Sequence, residues 1–232
     1  MLLEVIATSL DDVQSAVRAG ADRIELVTGL LEGGMTPSIG LMEEAVRLSA
    51  VPVHVMIRPH NQSFHYDRHD IKVMLKDIEV AKRAGAAGIV VGALTSDARV
   101  DKQALNILLE GTEGLAVTFH RAFDDTRNMD EALDDLLVFR QVNRILTSGG
   151  RPSVLDAEET IKRLVRRTKG TAIHLLAGSG LTVETLSGFI QETGVREVHF
   201  GRGVRIGNRT EGRIDENRIM TIKQLQRNLS RD

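Results

Sequence analysis

The feature that most constrains the fold is a pattern that recurs along the chain. A helix end is followed by a glycine and then by an apolar strand. Residues 18–25 read RAGADRIE, residues 83–90 read RAGAAGIV, and residues 192–199 give a weaker third copy. Glycine tolerates the left-handed backbone that ends many helices, so each copy predicts a helix followed directly by a strand. Repeated units of this kind are typical of α/β proteins.

Eight short apolar segments predict eight strands, and amphipathic segments fill the gaps between them. The segments lie at about residues 3–6, 22–27, 53–58, 88–93, 116–120, 144–148, 172–177 and 197–201. An open doubly wound sheet is disfavoured because no glycine-rich fingerprint follows the first strand. The chain has 232 residues and no evident linker. We therefore expect an α/β fold, a single (β/α)8 TIM-type barrel forming one domain over residues 1–232.

Composition excludes several classes of function. The net charge is −2, and the chain has no Trp and one Tyr, which argues against a nucleic-acid partner. Its apolar runs are shorter than the ~20 residues of a membrane-spanning helix. The N-terminus lacks the pattern of a secretory signal, so we expect a cytoplasmic protein without membrane association. The absence of cysteine excludes a cysteine nucleophile and iron–sulfur clusters.

The interior of the predicted barrel is unusually polar. Because alternate strand residues face opposite sides, apolar outer residues such as Val53 and Val55 leave their neighbours pointing inward. The predicted lumen holds Glu4, Arg23, Glu25, His54, Arg58, Thr118, His120, His174, Glu197 and His199. Barrel interiors are mostly Val, Ile and Leu. A structural network of paired charges and a functional site are both compatible with this set.

Strand ends favour the functional interpretation, because active sites of such barrels lie at the carboxyl ends of the strands. Glu25, His120 and Asp124 are the predicted catalytic residues. His120 ends the fifth strand and suits a general acid or base, with Glu25 as its partner. Asp124 is placed to orient a neighbouring base.

The same strand ends carry candidate ligands for an anion. These are Arg58, Arg121, Thr147, Ser148, Gly178, Ser179, Gly180, His199, Gly201 and Arg202. The guanidinium group matches carboxylate and phosphate. Glycines let backbone N–H groups approach an anion, and loops after the seventh and eighth strands often bind phosphate in this architecture. Tight turns at the barrel corners explain the same glycines equally well.

Two other site types have weaker support. His65 and His69 would share a face at i, i+4 if their segment were helical, which suits metal chelation. No third ligand is evident, and a solvated loop is the competing interpretation. All seven lysines fall in predicted helices, which argues against Schiff-base chemistry.

Five segments give the sequence its resemblance to a known family. They are residues 21–26 (ADRIEL), 33–38 (GGMTPS), 56–59 (MIRP), 117–124 (VTFHRAFD) and 144–149 (RILTSG). Together they resemble the CutC family of copper homeostasis proteins, over about residues 3–205. The resemblance implies a TIM-type barrel, a cytoplasmic location, self-association into a homo-oligomer and copper as a ligand. Family members often carry cysteines where this chain has Ile6 and Val27, so only Met and His could supply soft ligands for Cu(I).

Three functions follow as alternatives. The resemblance implies a copper homeostasis protein, with Cu(I) as a bound ion. The residues favour an isomerase or lyase without a Schiff base, acting on a small anionic or phosphorylated substrate at the C-terminal face. A non-catalytic oligomeric scaffold with a structural polar lumen is the third.

Overall fold

The computed structural model describes residues 1–229 and shows eight parallel strands closed into a barrel, in the order β1 to β8. The strands are β1 Leu2–Ala7, β2 Arg23–Leu26, β3 Val53–Met56, β4 Gly88–Val91, β5 Ala116–Phe119, β6 Val142–Thr147, β7 His174–Gly178 and β8 Glu197–Phe200. The predicted (β/α)8 barrel is confirmed. The last residues of the predicted domain, 230–232, lie outside the described part of the chain.

One helix follows each strand and covers the outside of the barrel. The helices are α1 Leu10–Ala19, α2 Ile39–Leu48, α3 Arg68–Arg83, α4 Lys102–Glu110, α5 Met129–Leu137, α6 Glu158–Thr168, α7 Val183–Thr193 and α8 Glu216–Leu229. Gly20, Gly85 and Gly194 all have positive φ angles, so the recurring glycine ends a helix as its local pattern predicts. No helix within residues 1–229 has the length and apolarity needed to cross a membrane.

The main hydrophobic core lies between the barrel and its helices. Outward residues of the strands, such as Leu3, Val5 and Ile24, are fully buried there against the helices. The intervening residues point into the barrel. This alternation places the polar strand residues in the lumen and brings their upper members to the C-terminal face.

The lumen differs from its prediction at two positions. His174 is in register with Arg144 on the inner face, as predicted, but it is exposed at the start of β7, at the opposite end from the C-terminal face, so it lies outside the buried network. Arg144 was not predicted there, but β6 directs it inward, where its Nε donates to Glu197 at 2.8 Å. Strand alternation predicts which side chains point inward, but it does not predict which of them lie deep enough in the barrel to be buried.

Candidate active site

A chain of buried ion pairs crosses the barrel where β1 closes against β8. Glu4 pairs in register with Arg23 on one side and with His199 on the other. Its Oε2 accepts a hydrogen bond from Arg23 Nε at 2.5 Å, and its Oε1 lies 2.7 Å from His199 Nδ1. Arg23 also donates to Glu197 at 2.9 Å. These bonds satisfy charges that would be costly to bury alone.

His199 joins this network to a second carboxyl group. Its Nε2 lies 3.8 Å from Oε2 of Glu25, whose Oε1 is buried without a hydrogen-bond partner. Burial raises the pKa of Glu25 to about 7, against the opposing effect of His199. Burial alone would lower the pKa of His199, but Glu25 and Glu4 raise it above its ordinary value. The pKa of Glu25 therefore lies near neutrality, while the neighbouring His199 has a raised pKa.

Glu4 keeps its negative charge and orients the imidazole. Although burial raises its pKa, Arg23 and His199 together hold that pKa well below the usual range of a carboxyl group. An ionised Glu4 accepts a hydrogen bond from the N–H group at His199 Nδ1, which leaves Nε2 facing Glu25. This is the arrangement of a base oriented by a third group.

His120 is a neutral hydrogen-bond donor. Its Nδ1 accepts from the backbone N–H of Ala122 at 3.1 Å, which places the ring proton on Nε2. That Nε2 is buried without a partner. Burial, assisted by the charge of Arg58, lowers the pKa of His120 to about 3. A Cβ at Gly92 would lie 2.6 Å from the ring Cε1, so the missing side chain makes room for the imidazole.

The predicted pairing of His120 with Glu25 is therefore not what the structure shows. Glu25 faces His199, and His120 packs against Phe64 at a ring-centroid separation of 4.9 Å. The two histidines have different chemistry because one lies beside carboxylates, whereas the other accepts from a backbone amide and is buried near the positive charge of Arg58.

A cavity of about 390 Å³ opens above these groups at the carboxyl ends of the strands. Its wall includes the predicted residues Glu25, Arg58, His120, Arg121, Ser179, Gly180, His199, Gly201 and Arg202. This volume falls within the range of pockets that bind small molecules. Gly178 lies just outside the wall, where a Cβ would come within 3.1 Å of the His199 side chain.

Arg58 reaches the cavity with its charge incompletely compensated. One guanidinium nitrogen donates to the carbonyls of Glu32 and Gly34 at 3.2 Å each, and the group lies 4.6 Å from the ring centroid of Phe64. Its Nε is buried without a partner. Because the carbonyl partners are neutral, the positive charge of Arg58 remains available to an anionic ligand.

Asp124, Thr147 and Ser148 lie together beside the cavity rather than in its wall. Asp124 Oδ2 accepts from Arg121 Nε at 2.8 Å and from the Ser148 backbone N–H at 2.9 Å. Its Oδ1 accepts from the Thr147 hydroxyl at 2.5 Å and from the Gly150 N–H at 3.1 Å. With its oxygens engaged in this way, Asp124 serves to position Arg121, which does line the cavity.

The premise of the histidine metal site is wrong. Helix α3 begins at Arg68, because the Asp67 carboxylate caps it by accepting from the backbone N–H groups of His69 and Asp70. His65 precedes the helix, and its Nδ1 lies 3.3 Å from the carbonyl oxygen of Leu94. His65 and His69 therefore do not share a helical face.

Within residues 1–229, one group of three possible metal ligands comes together. Glu4, Glu25 and His199 offer ligand atoms that all lie within 4.8 Å of one another. The set contains two hard carboxylates, one of which is already bonded to Arg23, and no sulfur. Cu(I) prefers thiolate and thioether ligands. Ile6 and Val27, where the resemblance implies cysteine, are hydrocarbon, so these residues do not fit Cu(I).

Sequence reasoning missed the functional position of Glu4. Alternation along β1 placed Glu4 in the lumen, but strand spacing gives no register between β1 and β8. The closed barrel sets Glu4 beside His199. Phe64 and Thr210, which also border the cavity, come from loops whose paths no periodic pattern predicts.

Comparison with known proteins gives consistent matches. A sequence model described as the CutC family matches residues 1–204. A Pasteurella multocida protein named family protein CutC is 39% identical over 207 residues, covering 89% of this chain and 84% of its own length. A human protein named copper homeostasis protein cutC homolog is 42% identical over 198 residues, covering 85% of this chain and 72% of its own length.

A solved structure extends these similarities to the fold. The crystal structure of a Streptococcus agalactiae protein named CutC matches with a TM-score of 0.80 and 33% identity. The match covers 86% of this chain and 97% of that one. The family match over residues 1–204 includes all eight strands of the barrel.

Proposed function

The chain belongs to the CutC family, and from that premise we propose that its barrel is an enzyme that moves a proton on a small organic anion. The observation that carries the proposal is the Glu4–His199–Glu25 chain, which shares one cavity with the neutral donor His120. The environments of these groups give them different acid–base roles. Glu4 is an ionised carboxylate, the Glu25–His199 pair titrates near neutrality, and His120 is a neutral imidazole.

The reaction class that uses this set is proton abstraction beside a carbonyl. The Glu25–His199 pair takes the proton from the carbon, and the bond electrons move towards the carbonyl oxygen. His120 Nε2–H donates a hydrogen bond to that oxygen as it gains negative charge. If the α-carbon carries a hydroxyl group, return of the proton to the former carbonyl carbon completes an isomerisation, with the hydroxyl proton passing to the original carbonyl oxygen. If the β-carbon carries a leaving group, the enolate electrons expel that group, with a proton, as the α–β double bond forms, which completes a lyase reaction.

Cationic side chains at the rim hold the anionic end of the substrate. Arg58, Arg121 and Arg202 all border the cavity. Their guanidinium groups match carboxylate or phosphate oxygens, so they fix the substrate over the proton-transferring pair. The cavity wall includes no lysine of the described residues, in agreement with chemistry that needs no Schiff base.

We expect the purified protein to catalyse solvent exchange at the carbon beside a carbonyl. The probes are straight-chain 2-oxo acids and dihydroxyacetone phosphate in deuterated water, followed by proton NMR. Signal loss above the rate without protein is the expected result, because abstraction and return exchange hydrogen with solvent. No exchange on any probe that binds the cavity would contradict proton abstraction.

Direct Cu(I) binding is the other function that the names of the relatives suggest. The one group of three ligands among the described residues does not favour it, because that group consists of carboxylates and an imidazole. We expect no stoichiometric binding in an anaerobic Cu(I) titration against a coloured chelator. The cytoplasmic location, the homo-oligomer and the single domain stay predictions.

A further inference from the structure

A small hydrophobic cluster lies inside the barrel, apart from the main core. Ile6, Val27, Met56 and Val90 form it, with Leu30 packed against them. The main core faces the helices, whereas this cluster faces the lumen. Three of its members, Ile6, Val27 and Met56, border the cavity, and so does Leu30.

The cluster begins beside the polar groups of the lumen and continues from them towards the mouth of the barrel. Val27 follows Glu25 by two residues, so both point into the barrel with Val27 nearer the mouth. Ile6 pairs in register with Glu25 on the neighbouring strand. Room for Ile6 comes from Gly201, where a Cβ would lie 2.9 Å from the isoleucine Cδ1. Hydrocarbon side chains therefore form one part of the wall beside the proton-transferring pair.

Other walls of the cavity continue this apolar surface. Leu146, Leu181 and Phe64 border the same space. The charged groups Arg58, Arg121 and Arg202 lie at strand ends and in the loops beyond them, as their sequence positions require. The cavity wall thus combines a continuous set of apolar side chains with cationic groups that come from other strand ends and loops. A sugar-like ligand would leave its hydroxyl groups facing hydrocarbon, which costs free energy for each lost hydrogen bond.

We infer that the substrate is an organic anion with a non-polar arm of several carbons, held against Ile6, Val27 and Met56, rather than a polyhydroxylated sugar acid or sugar phosphate. The inference rests on the proposed function for the position of the charged end. Side chains that only pack the interior of the barrel would also be apolar, but they would fill the lumen. These side chains border an open cavity.

The test measures binding, without turnover, by isothermal titration of the full chain. The ligands are the straight-chain 2-oxo acids from pyruvate to 2-oxohexanoate, with 2-keto-gluconate as a hydroxylated ligand of equal carbon number. We expect affinity to rise about fourfold for each methylene group buried, the fold-change that corresponds to about 0.8 kcal/mol. 2-Keto-gluconate should bind more weakly than 2-oxohexanoate.

A variant at Val27 tests whether the non-polar arm of the ligand contacts this part of the cavity wall. Val27→Thr keeps the side-chain shape but replaces one methyl group with a hydroxyl group, so we expect severalfold weaker binding of 2-oxohexanoate and little change for pyruvate. Val73→Thr is the matched control, because Val73 is 48% exposed on α3. If Val27→Thr does not fold, the chain-length series on the unaltered protein still decides the matter.

The outcomes separate this inference from the proposed function. An affinity that is flat with chain length, tighter binding of 2-keto-gluconate, or no binding of any member at millimolar concentration would overturn the inference. Affinity that rises with chain length, without solvent exchange, would support the non-polar arm and contradict the proton transfer. Solvent exchange confined to hydroxylated probes would support the proton transfer and contradict the non-polar arm.

Discussion

The His199→Gln protein is expected to lose about 10²–10⁴-fold of its solvent-exchange rate on a bound organic anion while remaining folded. Glutamine keeps a polar side chain beside Glu4 but cannot exchange a proton near neutral pH. The loss should appear in kcat rather than in ligand affinity, because the cationic rim is unchanged. Proton NMR in deuterated water measures the rate, and isothermal titration measures the affinity.

A second histidine supplies the control for this result. His174 stands on β7 at the opposite end of the barrel and is exposed, so His174→Gln should leave the exchange rate unaltered. A fully active His199→Gln protein would show that Nε2 of His199 carries no proton in the reaction. Equal losses in both variants would show that the effect is not local to the site.

The Arg23→Met protein is expected to lose about 3–5 kcal/mol of unfolding free energy at neutral pH. Arg23 is 2% exposed and donates to both Glu4 and Glu197. Methionine fills much of the volume but leaves two buried carboxylates without this partner. Urea denaturation followed by circular dichroism measures the change. Arg18→Met, which removes an exposed ion pair with Glu216, is the control and should change stability little.

The loss in Arg23→Met should also depend on pH. Burial raises the pKa of Glu4, but Arg23 and His199 together lower it by more than burial raises it. The net pKa is therefore below the ordinary 4.5. A carboxyl group with a depressed pKa stabilises the fold above its unfolded pKa, and that contribution is lost as the pH falls through the folded value. The difference between the two proteins should therefore shrink in acid. A difference that stayed constant, or that matched Arg18→Met, would contradict an ionised Glu4.

Much of the fold follows from local patterns in the sequence. The glycines at positions 20, 85 and 194 end helices because the left-handed backbone excludes most other residues. Strand alternation then places Glu4, Glu25 and His199 inside the barrel, as predicted. These features depend only on residues that are neighbours in sequence.

Contacts across the barrel did not follow from the sequence. Whether His199 or His120 faces Glu25 depends on strand register and on the side of the barrel from which each strand comes, and neither has a local signal. The sequence also left open whether His65 lies in a helix or a loop, and the Asp67 cap, which starts α3 at Arg68, places it in the loop. The distinct chemistry of the two histidines is therefore a property of the closed barrel.

Histidine NMR tests the central claim most directly, because it needs no substrate. The protein is labelled with ¹⁵N at its imidazole nitrogens, and the signals are assigned with His120→Gln and His199→Gln. Over about pH 5–8, we predict that His120 stays neutral with its proton on Nε2, while His199 titrates above the ordinary 6.5. If His120 titrated near 6.5 and His199 remained neutral throughout, the site could not work as described.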